Sequence, residues 1–355
     1  MGMLKMRSPG ESMAMRYSVH ALWLDLVSPM RSSSANLTCG KVAMHALVYT
    51  SIYISVAAAL LTGGTHRLLG VDGPSYPLMV LVFSATLLIY NLDRLVGSRR
   101  EDLVDSTARH HWVRRHPRWL RILVVLGGLG VLGSLFFLRW TTIAALLPLA
   151  GLSLSYVLPL VVPKKTRTST ASQQPRPTPL NARGWRLKEL PATKTFVIAL
   201  VWAVVTVMLP ALESDQPLWN SGVWMTFTER FIFVYALTLP FDCRDLLRDR
   251  TSGIRTLATI LGARKTLAIA MGLMMVFIAM TGLRFDHHSD PALLAMSLTA
   301  LLTLAALVPA YYRHRRPGAD DVAPSKRPTA MPELYYVLLL DGMLLLQGMV
   351  LFALY

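Results

Sequence analysis

An all-α, multipass membrane protein is the fold class that the sequence predicts, and three observations carry it. Hydrophobic residues make up 53% of the 355-residue chain and charged ones 16%, against about 25% charged in ordinary soluble domains. The mean hydropathy is +0.44, so a bilayer is the natural solvent for most of the surface. Apolar stretches near the ~20 residues that cross a bilayer as a helix recur at 42–62, 77–95, 119–138, 140–162, 195–210, 224–243, 264–284, 292–312 and 332–355, which gives about nine transmembrane helices.

A basic tail, residues 1–41, precedes the first stretch. Lys5, Arg7, Arg16 and Asp25 interrupt its apolar groups, so it lacks the continuous core of a cleaved signal and 42–62 is the expected insertion signal. The second stretch ends in the polar run Tyr90-Asn91-Leu92-Asp93-Arg94, and the third holds Gly127, Gly128, Gly130 and Gly133, which read as a surface for close helix packing. The fourth stretch contains Tyr156, which reads as an interfacial aromatic. The fifth is the shortest, and the sixth carries Glu229 and Arg230 near its start. The ninth places Asp341 near mid-span, where an ionised group costs about 2.5–3.5 kcal/mol. Asp341 is therefore expected to face protein or a cavity, paired with Arg230 or hydrogen-bonded as the acid. Segments 164–186 and 313–332, rich in Pro and small polar residues, are expected to be mobile cytoplasmic loops. They leave one membrane domain, 42–355.

The net charge is +16, and its distribution carries more than its size. Five Lys or Arg lie in 1–41, seven in 94–118, eight in 164–194, six in 242–265 and five in 313–327, while the intervening loops hold almost none. The positive-inside rule puts these segments in the cytoplasm. The N-terminus and the motif-bearing loops are then cytoplasmic and the C-terminus lies on the opposite side, with a bacterial inner membrane as the expected location. Basic loops suit anionic headgroups or a phosphorylated lipid, and no element for reading nucleic acid is present. Cys39 and Cys243 are the only cysteines, both on the reducing side, so no disulfide is expected. The histidine clusters lack partners at zinc-binding spacing, and neither a nucleophile elbow nor a phosphate-cradling glycine loop occurs.

The chemistry concentrates in Phe241-Asp-Cys-Arg-Asp-Leu-Leu-Arg-Asp-Arg-Thr-Ser-Gly-Ile-Arg-Thr-Leu257. On a helix, Asp242, Asp245 and Asp249 fall at i, i+3 and i+7 and share one face. Three converging carboxylates repel one another unless a cation lies among them. A hard divalent ion such as Mg²⁺ suits oxygen ligands shared with a phosphate ester. A solvated helix end with short-range ion pairs is the competing reading, worth a few tenths of a kcal/mol per pair.

Asp242-x-x-Asp245-x-x-x-Asp249, followed by Gly253-Ile-Arg-Thr-Leu257 and Leu261-Gly262, resembles the second aspartate-rich motif of the UbiA superfamily of intramembrane prenyltransferases. The pattern from Tyr156 through Pro191 to Lys194 resembles the family's fourth and fifth helices. The family's first motif, Asn-Asp-x-x-Asp-x-x-x-Asp, is degraded here. Anchored on Asn91, its acids fall on Leu92, Leu95 and Arg99; anchored on Asp93, the other two fall on Val96 and Arg100. Glu101, Asp102 and Asp105 follow close by.

The resemblance implies a UbiA-like helical bundle and Mg²⁺-dependent transfer of an isoprenyl group from a prenyl diphosphate to a lipophilic acceptor, aromatic or quinone-precursor in character. It implies Asp242, Asp245 and Asp249 as catalytic metal ligands, with Asn91 and Asp93 as further metal-site candidates. Lys194, Arg255 and Arg94 would hold the diphosphate, and Tyr156 and Asp341 would line the chamber. Asn91 and its neighbours read equally well as a helix cap, and Arg94, Arg99 and Arg100 as topology determinants. Two alternatives to transfer stay open: a membrane terpene cyclase of the same family without an acceptor, and a non-catalytic protein that binds or transports an isoprenoid lipid.

Overall fold

A computed structural model describes residues 47–98, 112–113, 115–158, 193–251, 253–288, 290–314 and 335–355. The tail 1–41, Cys39, Arg99 through Asp105, the loop 164–186, Pro191 and residues 315–332 lie outside the described residues. Helices and short turns account for all the secondary structure that is described, with no strand among it. The helices are α1 (Ile52–Leu68), α2 (Tyr76–Ser98), α3 (Pro117–Leu135), α4 (Trp140–Val157), α5 (Thr193–Ala203), α6 (Ser221–Arg244), α7 (Leu246–Thr251), α8 (Leu257–Leu261), α9 (Ala263–His288), α10 (Pro291–Arg313) and α11 (Asp341–Ala353).

Seven of the described helices are long and apolar enough to cross a membrane, and the chain is an integral membrane protein. Two further helices occupy the remaining predicted stretches. At 17 residues, α1 is short, and α6 carries Glu229, Arg230, Asp242 and Arg244 within its length. The seven crossings include α5 together with the π-helical turn Val204–Met208 and the short helix Leu209–Glu213 that continue it. That continuation lengthens the stretch expected at 195–210.

The first predicted stretch is displaced. Instead of 42–62, the long helix runs from residue 52 to 68, because Ser51 adopts a left-handed backbone (φ 63°) that breaks the chain there. At the other end the helix passes through polar residues that an apolar window would reject. Thr62 and Thr65 donate their hydroxyls to the carbonyls of Ala58 and Leu61, both at 2.8 Å, and His66 Nδ1 lies 3.1 Å from the Thr62 carbonyl. Satisfied within the helix, these groups can be buried.

Six helices close a circuit of neighbours. α1 packs against α11, α11 against α10, α10 against α9, α9 against α6 and α6 against α5, whose π turn returns to α1. α2 joins this circuit through α1, α3 packs on α2, and α4 contacts α2 and the Leu209–Glu213 turn. Small residues set the closest approaches. A side chain on Gly64 would strike Leu351, one on Gly348 would strike the backbone of Leu61, and one on Gly127 would strike the backbone of α2 at Ser84 and Leu88. Gly127 and Gly130 thus pack as the sequence predicts, while Gly128 and Gly133 have open space around them. Along α3 and its exit, Ile122, Val125, Leu126, Leu129, Leu132, Phe136 and Phe137 are exposed. Such a continuous apolar surface suits lipid and would aggregate in water.

Candidate functional site

The acidic motif sits where α6 ends. Its last turn contains Pro240 and closes on Asp245, whose φ of −86° and ψ of 3° lie outside the helical range and separate α6 from α7. The uninterrupted helix assumed from spacing is therefore broken at its middle aspartate. The backbone bonds from Asp245 N to Phe241 O and from Asp249 N to Asp245 O, both 2.9 Å, nonetheless preserve the i→i−4 progression. All three carboxylates keep a common direction.

Beyond α7 the Gly-Ile-Arg-Thr-Leu run has a structural explanation. Gly253 takes φ 71°, a conformation that glycine adopts without strain, and Ile254 N bonds back to the Asp249 carbonyl at 2.8 Å. Thr256 then caps α8 in a reciprocal box with Thr259. The motif is in this sense a sharp, capped reversal that holds Asp249 against the end of α6.

One cation faces the three acids. Lys194, in the first turn of α5, places Nζ 3.5 Å from Asp242, 3.6 Å from Asp245 and 3.8 Å from Asp249. The Asp242 and Asp249 side chains are 1% and 5% exposed. Both Asp242 oxygens and Asp249 Oδ2 lack a hydrogen bond of good geometry, so Lys194 meets them as a charge rather than a directed donor. Burial raises the Asp249 pKa above the usual carboxylate value, with Lys194 acting against that shift.

Arg244 supplies a second cation by a different geometry. Its Nε and Nη2 approach the two oxygens of Asp245 at 2.9 and 3.2 Å, a fork on one carboxylate. The guanidinium also lies over the rings of Phe241 at 5.0 Å and Tyr336 at 5.4 Å. Arg248 is a third cation: burial lowers its pKa, while Asp249 and Asp93 both pull it back up. Arg244, Arg248 and Tyr336 were not among the residues singled out from sequence. The two arginines are in the motif but not on its acidic face, and Tyr336 comes from a helix far along the chain.

The other predicted residues divide. Tyr156 lies within electrostatic reach of Asp93, Asp242 and Asp245, so the ends of α2, α4 and α6 converge. Asp93 also lies within electrostatic reach of Arg248 across this space. Asn91 is fully buried and donates Nδ2 to the carbonyls of Thr50 and Leu87, both at 2.8 Å. Its Oδ1 has no protein donor. Arg94 directs its fork to the backbone carbonyls of Tyr49 and Val48, tying α2 to the segment before α1. Arg255 is exposed in the turn between α7 and α8. Asp341, at the start of α11, acts electrostatically on Tyr53 and Tyr90.

The expected pairing of Asp341 with Arg230 is not formed. Arg230 donates to Gln347 Oε1 at 2.8 Å and to Thr65 Oγ1 at 3.4 Å, while its neighbour Glu229 pairs with Arg284. Facing into the bundle, Arg230 meets α1 and α11 a turn and more beyond Asp341. Cys243 is buried with Sγ against the Ala263 carbonyl at 3.5 Å.

Several solved structures share this arrangement of helices. One of a UbiA homologue from Archaeoglobus fulgidus bound to DMAPP and Mg²⁺ superposes with a TM-score of 0.52 over 87% of this chain and 99% of its own, at 10% identity. A second, of a UbiA homologue from the same organism bound to GPP and Mg²⁺, gives 0.52 over 86% and 99%, also at 10% identity. The apo structure of a UbiA homologue from Aeropyrum pernix K1 gives 0.51 over 86% and 96%, at 13% identity. The chain has the UbiA fold. No protein-family model and no curated protein matches its sequence.

Among the described residues, no three His, Cys, Asp or Glu groups converge closely enough to form a metal cluster as they stand. The donor set nevertheless fits a hard cation. Three carboxylates surround one point, that point already holds an ammonium group, and the buried oxygens of Asp242 and Asp249 await directed partners.

Proposed function

We propose that the chain is a divergent member of the UbiA superfamily that transfers an isoprenyl group from a prenyl diphosphate to a lipophilic acceptor in a divalent-metal-dependent reaction. The observation that carries this reading is the set of three carboxylates held around Lys194 at the end of α6, in a fold shared with UbiA homologues bound to DMAPP or GPP and Mg²⁺. Asp242, Asp245 and Asp249 would hold Mg²⁺, with Asp93 and the Asn91 amide oxygen as candidates on the facing helix. When bound, Mg²⁺ neutralises charge on the diphosphate and so eases departure of the leaving group.

The protein's own groups divide the remaining work. Lys194, which neutralises the three carboxylates here, would be free to hold diphosphate oxygens wherever a metal took over the acids. Arg244 keeps Asp245 oriented through its two-point contact, and Arg248 adds positive charge beside Asp249 and Asp93. These cations are aimed at the charge that develops on the leaving diphosphate, where a low-dielectric site makes them count most. Apolar helix surfaces exclude the water that would quench an allylic cation. An aromatic or quinone-precursor acceptor remains the expected class, and the run of basic segments supports a site at the cytoplasmic face of a bacterial inner membrane.

Binding without turnover is favoured by one observation. Asn91 and Arg94, at the position of the family's first motif, are engaged with backbone carbonyls of the segment before α1. The deciding experiment incubates purified protein in lipid with labelled prenyl diphosphates, Mg²⁺ and a panel of acceptors. Diphosphate release is expected, with a fall of about 10²–10³-fold in Asp245→Ala, as for loss of one preorganised charge-stabilising group. Activity insensitive to that substitution or to chelation overturns the mechanism, and binding without release from any donor favours the non-catalytic reading.

A further inference from the structure

Away from the acidic motif, the interior of the bundle is crossed by a second set of buried polar groups. Glu229 and Arg230 on α6 are 0% and 1% exposed. Glu229 pairs with Arg284 of α9, which also reaches Thr226 at 3.3 Å. Arg230 extends to Gln347 of α11 and Thr65 of α1, and Gln347 continues to Thr299 of α10 at 3.2 Å. Neither α1 nor α11 is a principal packing neighbour of α6. The Arg230 side chain therefore bridges opposite sides of the helix circuit, and five of its six helices meet in one polar layer.

Two features make this layer a barrier to hydrocarbon. Arg230 Nε and Glu229 Oε1 are buried without a hydrogen-bond partner in the protein, and an alkyl chain pressed against them offers none. Gln347 and Thr299 brace the far end, so Arg230 cannot turn aside without breaking a buried hydrogen bond. Arg230 lies twelve positions before Asp242 on α6, which at ~1.5 Å per residue is about 18 Å. With C–C bonds of about 1.5 Å and four to each isoprene unit, an extended unit advances about 5 Å. The distance accommodates about four units.

We propose that the Arg230–Gln347 bridge is the floor of the donor chamber and limits the isoprenoid chain to about four units. This rests on the prenyl-diphosphate reading above, with the diphosphate at Asp242 and the chain running along α6. Arg230 is a specificity-determining residue in this account and takes no part in bond breaking.

The test measures equilibrium binding of non-hydrolysable thiolodiphosphate analogues with two, four and six isoprene units to the protein in lipid nanodiscs with Mg²⁺. For the wild type, affinity rises from two units to four, since each added carbon buries apolar surface, and falls about tenfold from four to six, equivalent to 1.4 kcal/mol. In Arg230→Met combined with Gln347→Leu, six units bind as tightly as four while the two-unit affinity is unchanged, which also shows that the variant is folded. Equal binding of four and six units by the wild type overturns the floor and leaves the donor reading intact. Failure of all three analogues to bind removes the donor reading, and the floor with it. Should the double variant lose the two-unit analogue, the wild-type series decides.

Discussion

Lys194 lies 3.5–3.8 Å from three carboxylates, and this one side chain determines how the site meets a metal. An ammonium among the acids offsets their repulsion, so a divalent ion must displace it. Lys194→Met is therefore expected to bind Mg²⁺ about tenfold more tightly than wild type when diphosphate is absent, and a prenyl diphosphate about tenfold more weakly. Titration calorimetry with each ligand separately reads both signs. A loss of both affinities would mean that Lys194 only stabilises the fold. Arg244 acts on one acid alone, through its fork on Asp245 and its stacking on Phe241 and Tyr336. Because lysine cannot reproduce a planar two-point contact, Arg244→Lys should lower kcat with KM for the donor changed little, a split that steady-state kinetics resolves. The identity of the acids was legible in their spacing, since period and chemistry agree along one helix face. Their cations were less so: Lys194 is 48 positions upstream of Asp242, and the Arg244 contact depends on a helix break that no local pattern marks.

At the level of elements, α1 and α11 are joined by reciprocal small residues, with Gly64 against Leu351 and Gly348 against Leu61. In a bilayer such close approach supplies much of the association energy between helices. Gly348→Leu forces the pair apart and should cost about 1–3 kcal/mol, visible as a lowered unfolding midpoint in detergent. Gly133→Leu, on the open face of α3, serves as the control with little change. Helix positions were largely legible, because ~20-residue apolar runs admit few alternatives once every backbone group must be satisfied internally. The shift of α1 to 52–68 was not. It depends on the left-handed Ser51 and on Thr62, Thr65 and His66 finding partners inside their own helix, and hydropathy counts those side chains as polar wherever they point. The Asp341–Arg230 pairing failed for a related reason: matching charges by sequence depth ignores that Arg230 had Gln347 and Thr65 within reach.

For the molecule as a whole, the alternation of basic segments predicts an even–odd topology that the fold alone leaves open. A reporter active only outside the cytoplasm, fused after Tyr355, is expected to be active, and the same reporter in the 164–186 loop silent; the reverse pattern would invert the site's proposed orientation. The bundle itself could be anticipated from hydropathy and the acidic motif together, whereas the polar layer around Arg230 could not, because its members come from five helices and share no local signature. That layer bears on how the protein is made. Helices leave the ribosome in order, and α6 emerges after Thr65, the partner of Arg230 on α1, but before Arg284 and Gln347 have been synthesised. Through that interval a buried glutamate and arginine depend on each other and on whatever the insertion machinery provides. The final helix is thus a late clasp: a nascent chain arrested before residue 335 should remain bound to membrane-insertion factors or be cleared by membrane proteases, and completion of α11 should release it as a stable protein.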